Sequence, residues 1–284
     1  MHRFTEYESQ VLESLATYQY LTVSQIQRLG IGTSRANIRD NTLSRLKHVR
    51  PALIKFQDFG VIAGIGRLEH IYFLSQHGVN VTAEFLRCDP SEIIFPRFGL
   101  RFKQDYFHRK MFVDFHISLR KWIDQGEDLN LEFFNSYYTK TKGQNSRSIN
   151  MFRFKPSANL PINHRQTIEP DGVFRFRKDD KNYLCAVEIH RKADSKYITK
   201  QLDAHMTAID QNLIPEQFEH PTTNLVLSVH ESLGSFKSVQ ERLMNTPDFR
   251  NFLPLFHFNL VEYVNGNFKN HWITADGKKS KLFL

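Results

Sequence analysis

The chain has 284 residues, 40% of them hydrophobic, with 38 Lys and Arg against 30 Asp and Glu for a formal net charge of +8. That apolar fraction sustains packed cores and excludes a disordered chain, the length suits roughly two domains, and the basic excess favours an anionic partner, nucleic acid or an acidic surface. Two cysteines about a hundred residues apart, Cys88 and Cys185, exclude a disulfide framework and a cysteine metal site and fit a reducing cytoplasm. The opening "MHRFTEYESQ" is too polar for a signal peptide, and no apolar run approaches the ~20 residues of a membrane helix, so the expected location is cytoplasmic with no membrane partner.

The first ninety residues predict helix, helix, helix, hairpin, helix. "TEYESQVLESLATYQ" places Val11, Leu12, Leu15 and Ala16 at helical spacing. "TVSQIQRLG" starts on a Thr22 cap and stops at Gly30, and "TSRANIRDNTLSRLKHV" is a third helix capped by Thr33 or Ser34. "ALIKFQDFGVIAGIGRLEHIYFLS" makes two strands about a glycine turn, and "SQHGVNVTAEFL" closes the unit as a helix near residue 86. This is the order of a winged helix-turn-helix over residues 1–90, whose third helix would enter the major groove of duplex DNA. Between positions 28 and 50, Arg28, Arg35, Arg39, Arg45, Lys47 and Arg50 stand against Asp40 alone. Arg35 and Arg39, four apart on one helix face, are the first candidates for DNA contacts, with Arg45 and Lys47 beside them. The same face would be solvated in a dimerisation or protein-interaction module, which winged helices also provide.

The stretch "RCDPSEIIFPRFGLRFKQ", with two prolines and a glycine, predicts a connector over residues 91–104 to a second domain over 105–284. "DYFHRKMFVDFHISLRKWIDQ" reads as a long helix and "LNLEFFNSYYT" as the first strand of a sheet. Residues 133–168 contain no acid but carry Lys140, Lys142 and Arg147 among Tyr137, Tyr138 and Phe152. Cations and rings together suit single-stranded or distorted DNA; a basic loop beside a strand core has the same composition. The hairpin "DGVFRFR…YLCAVEIHR", the helix "DSKYITKQLDAHMTAIDQ", the strand "TNLVLSVH", the helix "SFKSVQERLMN" and a last strand "LFHFNLVEYV" follow. Helix, three antiparallel strands, helix, strand predicts an α/β (α+β) plan with a mixed sheet flanked by helices, the core order of restriction-endonuclease-like folds.

The hairpin carries the candidate chemistry. With a strand period of two, Glu188 and His190 share a face with Leu184 and Ala186. A turn centred on Asp179 and Asp180 sets Lys178 against Lys181 and Asp171 against Glu188. Facing carboxylates are unfavourable on a sheet unless a divalent cation such as Mg²⁺ or Mn²⁺ sits between them, where it could activate water for phosphodiester cleavage. Acids at strand ends also commonly just face solvent. On the next helix Ile198, Leu202 and Ile209 form a core stripe, and Gln201 and His205, four apart, project beside it. They are candidates to support the metal site and the phosphate, or are simply half-buried polar residues. Glu132, on the first strand, is a third possible acid.

The chain resembles the replication-relaxation family, which includes plasmid mobilisation relaxases of the MobC class. The residues that carry the resemblance are the winged-helix start, "FHRKMFVD" with His108 and Asp114, "PDGVFRF", "AVEIHRKADS" with Glu188 and Arg191, and "KQLDAH". The resemblance implies a restriction-endonuclease-like fold of the PD-(D/E)xK type and a metal-dependent DNA endonuclease, a nickase or relaxase acting at a plasmid origin in mobilisation or conjugation. It adds Asp114 to Asp171 and Glu188 as metal ligands, with His190, Gln201 and His205 in the catalytic set. Two departures are visible: His190 stands where the family carries an acid and the broader nuclease class a lysine, and His205 stands where a tyrosine is usual. An imidazole can bind a metal or act as a base near neutral pH.

Three readings stay open on these residues: a nicking enzyme, a non-catalytic DNA-binding accessory protein or repressor on a decayed nuclease fold, and a toxin or defence nuclease. A homodimer and partners in a mobilisation complex are compatible with each.

Overall fold

The structure is a computed structural model that describes residues 3–96, 103–136, 160–163, 166–191, 194–280 and 282. Among them the fold is mixed α/β, with helices against a five-stranded mixed sheet. No helix among the described residues is long and apolar enough to cross a membrane. The chain divides into two compact units, one over Met1–Asp114 and one from Phe115 onward. The division falls inside a long helix rather than in the 91–104 connector.

In the first unit, α1 (Glu6–Tyr18) starts at a capping box. Thr5 Oγ1 accepts from the Glu8 N–H at 3.3 Å and Glu8 accepts from the Thr5 N–H at 2.8 Å, which satisfies two orphan helix donors. Val11, Leu12, Leu15 and Ala16 are all buried, as their spacing predicts. The same reciprocal cap, Thr22 with Gln25, opens α2 (Val23–Arg28). The expected third helix is wound in three pieces: α3 (Arg35–Asn37), capped by Ser34, a π segment over Ile38–Leu43, and α4 (Ser44–His48). The wider i→i+5 winding lets Ile38 and Leu43 both reach the core.

A hairpin follows. β1 (Ile54–Gln57), β2 (Val61–Ile62), β3 (Gly66–Arg67) and β4 (Ile71–Leu74) pair as β1 with β4 and β2 with β3, both antiparallel. Leu21, between α1 and α2, exchanges backbone hydrogen bonds with Tyr72 at 3.1 and 2.8 Å and so adds a third row to β1 and β4. Ser75 caps α5 (Gln76–Leu86), accepting from the Gly78 N–H at 2.9 Å. A Cβ on Gly78 would lie 1.9 Å from the Leu53 carbonyl oxygen, so the helix backbone rests directly on the residue before β1.

The helix α6 (Lys103–Asp124) leads to β5 (Leu129–Ser136), with the small pair β6 (Leu160–Asn163) and β7 (Gln166–Ile168) after it. Then come β8 (Gly172–Lys178), β9 (Lys181–His190), α7 (Ser195–Asp210), α8 (Leu213–Gln217) and β10 (Leu225–His230). The chain finishes with α9 (Leu233–Met244), α10 (Phe249–Phe252), β11 (Phe256–Leu260) and α11 (Val261–Gly266). The sheet order is β11-β10-β9-β8-β5, with β8 antiparallel to both β5 and β9, and β9, β10 and β11 parallel. Helix, three antiparallel strands, helix, parallel strand is thus the order found.

The β8–β9 turn is centred as its two aspartates predict. Asp179 and Asp180 have φ of 48° and 61°, the left-handed pair that a tight two-residue hairpin needs, and Lys178 faces Lys181. One sheet face packs α7 and α9 through Ile198, Leu202, Val226, Phe236, Phe256 and Phe258. The other is tiled with rings, including Phe115 against Phe174 and Trp122 against Phe176; each fully buried Phe contributes about 1.5–3 kcal/mol. The last strand is shorter than its sequence predicts. It stops at Leu260, and Val264 returns to the core four residues later, at helical spacing.

Candidate functional site

The site grows from the register of two hairpin strands and one parallel neighbour. Gly172 pairs with Val187, so Asp171, one residue before β8, stands at the position opposite Glu188. Its Oδ2 accepts the Ile189 N–H at 2.7 Å. On β10, Ser228 is the register partner of Glu188, and His230 that of His190. Parallel strands in register put these four side chains on one sheet face.

Glu188 is 3% exposed and His205 fully buried. From α7, His205 Nε2 lies 2.8 Å from Glu188 Oε1. When Glu188 is ionised the imidazole N–H donates; when it is protonated the carboxyl O–H donates to Nε2. Burial, reinforced by the Asp171 charge, pushes the Glu188 carboxyl well above its ordinary value. Burial pushes His205 down to about 3, so its imidazole is neutral at neutral pH. His190 is 5% exposed, its ring centroid 4.8 Å from that of His230. His230 is also held down to about 3 by burial and sits 2.9 Å from Ser228 Oγ and 3.5 Å from Ser235 Oγ. Ser228, His230 and Ser235 were not among the residues singled out from sequence; the Ser-x-His alternation in "LSVH" was the available signal.

The sequence candidates divide. Asp171, Glu188, His190 and His205 come together on one side of the sheet, and Gln201 is half-buried on α7 one turn before His205. Asp114 belongs to the first unit, where its carboxylate takes Gln25 Nε2 at 3.1 Å, Arg28 Nη1 at 3.3 Å and Lys110 Nζ at 3.1 Å. Glu132 occupies a β-bulge between Leu131 and Phe133 and is paired with Arg175. Asp171 and Glu188 belong to the second unit and Asp114 to the first, and no group of three or more His, Cys, Asp or Glu side chains that could hold a metal ion is found among the described residues. What remains is a pair. Two carboxylates at opposed positions, one of them raised by burial and then by the other's charge, are a donor set that a hard cation relieves. Mg²⁺ commonly takes only one or two carboxylates and keeps several waters; Mn²⁺ shares the oxygen preference. Asp171 and Glu188 are oxygen donors of that chemical type.

In the first unit, Arg35 is exposed and its Nε donates to Gln27 Oε1 at 3.2 Å. Arg39 is exposed but doubly bonded to Asp40, at 2.7 and 2.9 Å. Arg45 pairs with the buried Glu8 at 3.0 Å, which ties α4 to α1. Lys47 stands over the Phe56 ring at 5.2 Å. Lys140, Lys142 and Arg147 lie outside the described residues.

The chain matches no protein-family model and no curated protein.

Proposed function

We propose that the protein is a DNA-binding, divalent-metal-dependent DNA endonuclease, a nickase of the relaxase type serving plasmid mobilisation or replication. The first unit is read as a winged helix, the second as a restriction-endonuclease-like fold. One observation carries the reading: Asp171 and Glu188 stand opposite each other where an antiparallel hairpin meets a parallel strand, on the face covered by the following helix. The third-row pairing of Leu21 with Tyr72 supports the winged helix, as do Val61 and Ile65, 67% and 58% exposed near the hairpin tip.

In this reading Arg35 and Arg39 take duplex phosphates and set the register of the protein on DNA. A bound Mg²⁺ or Mn²⁺ would supply activation of water and stabilisation of the leaving oxygen. The chain's own part is positional. Asp171 and Glu188 hold the ion, the Ile189 N–H fixes one Asp171 oxygen, and His205 fixes the Glu188 carboxyl against rotation. His190 and His230 wall the site beside them.

A second reading, a DNA-binding accessory protein or repressor without catalysis, is favoured by the His190 position. The broader nuclease class carries a lysine there; here a buried imidazole packs on another.

The test is incubation with supercoiled and single-stranded DNA, with and without Mn²⁺, read as nicked circle or shortened strand. Metal-dependent nicking that vanishes in Asp171→Asn upholds the endonuclease. Retained duplex binding with no cleavage and no Mn²⁺ stabilisation upholds the second reading.

A further inference from the structure

The second unit contains a cavity that the acidic pair does not use. It holds about 650 Å³ and is lined in part by Tyr183, Arg250, Leu253, Pro254, His257 and Lys279. Tyr183 and His257 alternate with the residues of the Glu188 face, so the cavity opens on the other side of the sheet. Its size is that of a small-ligand site.

The lining has three chemistries. Lys278 is held by Asp276 at 2.7 Å, and that ammonium with the Thr274 hydroxyl keeps the Asp276 carboxyl at about 2. Arg250 and Lys279 have no carboxylate at ion-pair distance among the described residues, so the rim carries surplus positive charge. Tyr183, half-buried, and Pro254 offer flat apolar surface. His257 is 6% exposed, and its Nδ1 is buried without a hydrogen-bond partner among the described residues. Burial holds it at about 4, leaving a neutral imidazole with one donor and one acceptor.

We propose that this cavity binds a phosphorylated nucleoside, with the phosphate on Arg250 and Lys279 and the base against Tyr183 and Pro254. Cations meet phosphate through charge-assisted hydrogen bonds, and an aromatic ring accepts any base by stacking. A sugar would leave the cations idle, and inorganic phosphate would leave the ring and proline idle. The same chemistry is presented by a free mononucleotide and by the phosphorylated end of a DNA strand.

The probe is a 5′-phosphorylated thymidine trinucleotide with a 3′ fluorophore, titrated with the full chain and read by anisotropy. Arg250→Ala and Lys279→Ala, both at exposed positions, should each weaken binding by about tenfold. Tyr183→Leu should weaken it too, with a melting curve to verify folding. Asp171→Asn and the double change Arg35→Ala with Arg39→Ala should leave it unchanged, which separates this site from the proposed nuclease function. Competition by thymidine 5′-monophosphate at equal strength identifies a free nucleotide as the ligand; competition only by phosphorylated oligonucleotide identifies a strand end. No binding, binding indifferent to Arg250→Ala and Lys279→Ala, or competition by inorganic phosphate as effective as by nucleotide would overturn the proposal.

Discussion

His205 reaches from α7 to place Nε2 2.8 Å from Oε1 of Glu188, and both residues are buried. A strand carboxyl and a helix imidazole thus pair where neither meets water, while His205 Nδ1 is buried without a hydrogen-bond partner among the described residues. The strand residue sets the chemistry of the site, and the helix residue decides how that carboxyl is aimed.

Replacing His205 by Leu, a side chain of similar volume, leaves the Glu188 carboxyl without this bond. The expected loss is about 1–3 kcal/mol of stability, measured by urea unfolding. In a cycle with Glu188→Gln the two changes should couple by about 0.5–3 kcal/mol. Additive losses would mean that the contact contributes nothing of its own.

Asp171→Asn removes the charge that adds to burial in raising the Glu188 carboxyl, while its amide oxygen can still accept the Ile189 N–H. The metal-free protein should therefore melt at a higher temperature than wild type, and stabilisation by Mn²⁺ should disappear. A Mn²⁺ shift of wild-type size in the variant would place the ion elsewhere.

Asp40 governs Arg39. Asp40→Asn frees that guanidinium, so duplex DNA should be bound more tightly and with a steeper salt dependence. Arg35→Ala with Arg39→Ala should weaken binding and flatten the slope, because fewer counterions are released. Anisotropy titrations at several salt concentrations check both; slopes that do not move would remove this segment from the interface.

Acid should loosen the second unit through its buried imidazoles. His205 and His230 are held to about 3 and His257 to about 4, below an ordinary value of 6.5. A base with a depressed folded pKa contributes stability present in full above 6.5 and lost as pH falls toward the folded value. Glu188 acts with the opposite sign: raised in the fold, it contributes below its ordinary 4.5 and loses that contribution as pH rises toward its folded value. Melting temperatures from pH 7 to pH 4 should fall, and His230→Asn should shallow the fall. Identical slopes would show that His230 is solvated.

Most of this architecture was legible because its signals are local. Thr22 and Ser34 mark helix starts by capping, Gly30 and the Asp179–Asp180 pair mark turns, and the alternation in β9 fixes which residues share a face with Glu188. The hairpin register followed from the turn alone, and with it the Asp171–Glu188 opposition. What was not legible depends on long-range packing. Asp114 goes to Arg28 and Gln25, some ninety positions earlier in the chain, and no spacing rule announces that. Ser228 and His230 join the site because β10 lies parallel to β9 in a particular register, which a crossover helix sets and a sequence period does not. The π segment and the short β11 arise where burial of Ile38, Leu43 and Val264 overrides a simple helix or strand period.

Gly78 lets α5 lie on the Leu53 carbonyl with no side chain between them. Alanine there would gain about 1 kcal/mol of helix propensity and meet an immovable oxygen. The hairpin and the closing helix consequently behave as one mechanical part. A push on the loop at Gly64 is carried along β1 and β4 to α5 without a compliant layer to absorb it, so whatever seats the hairpin also seats that helix.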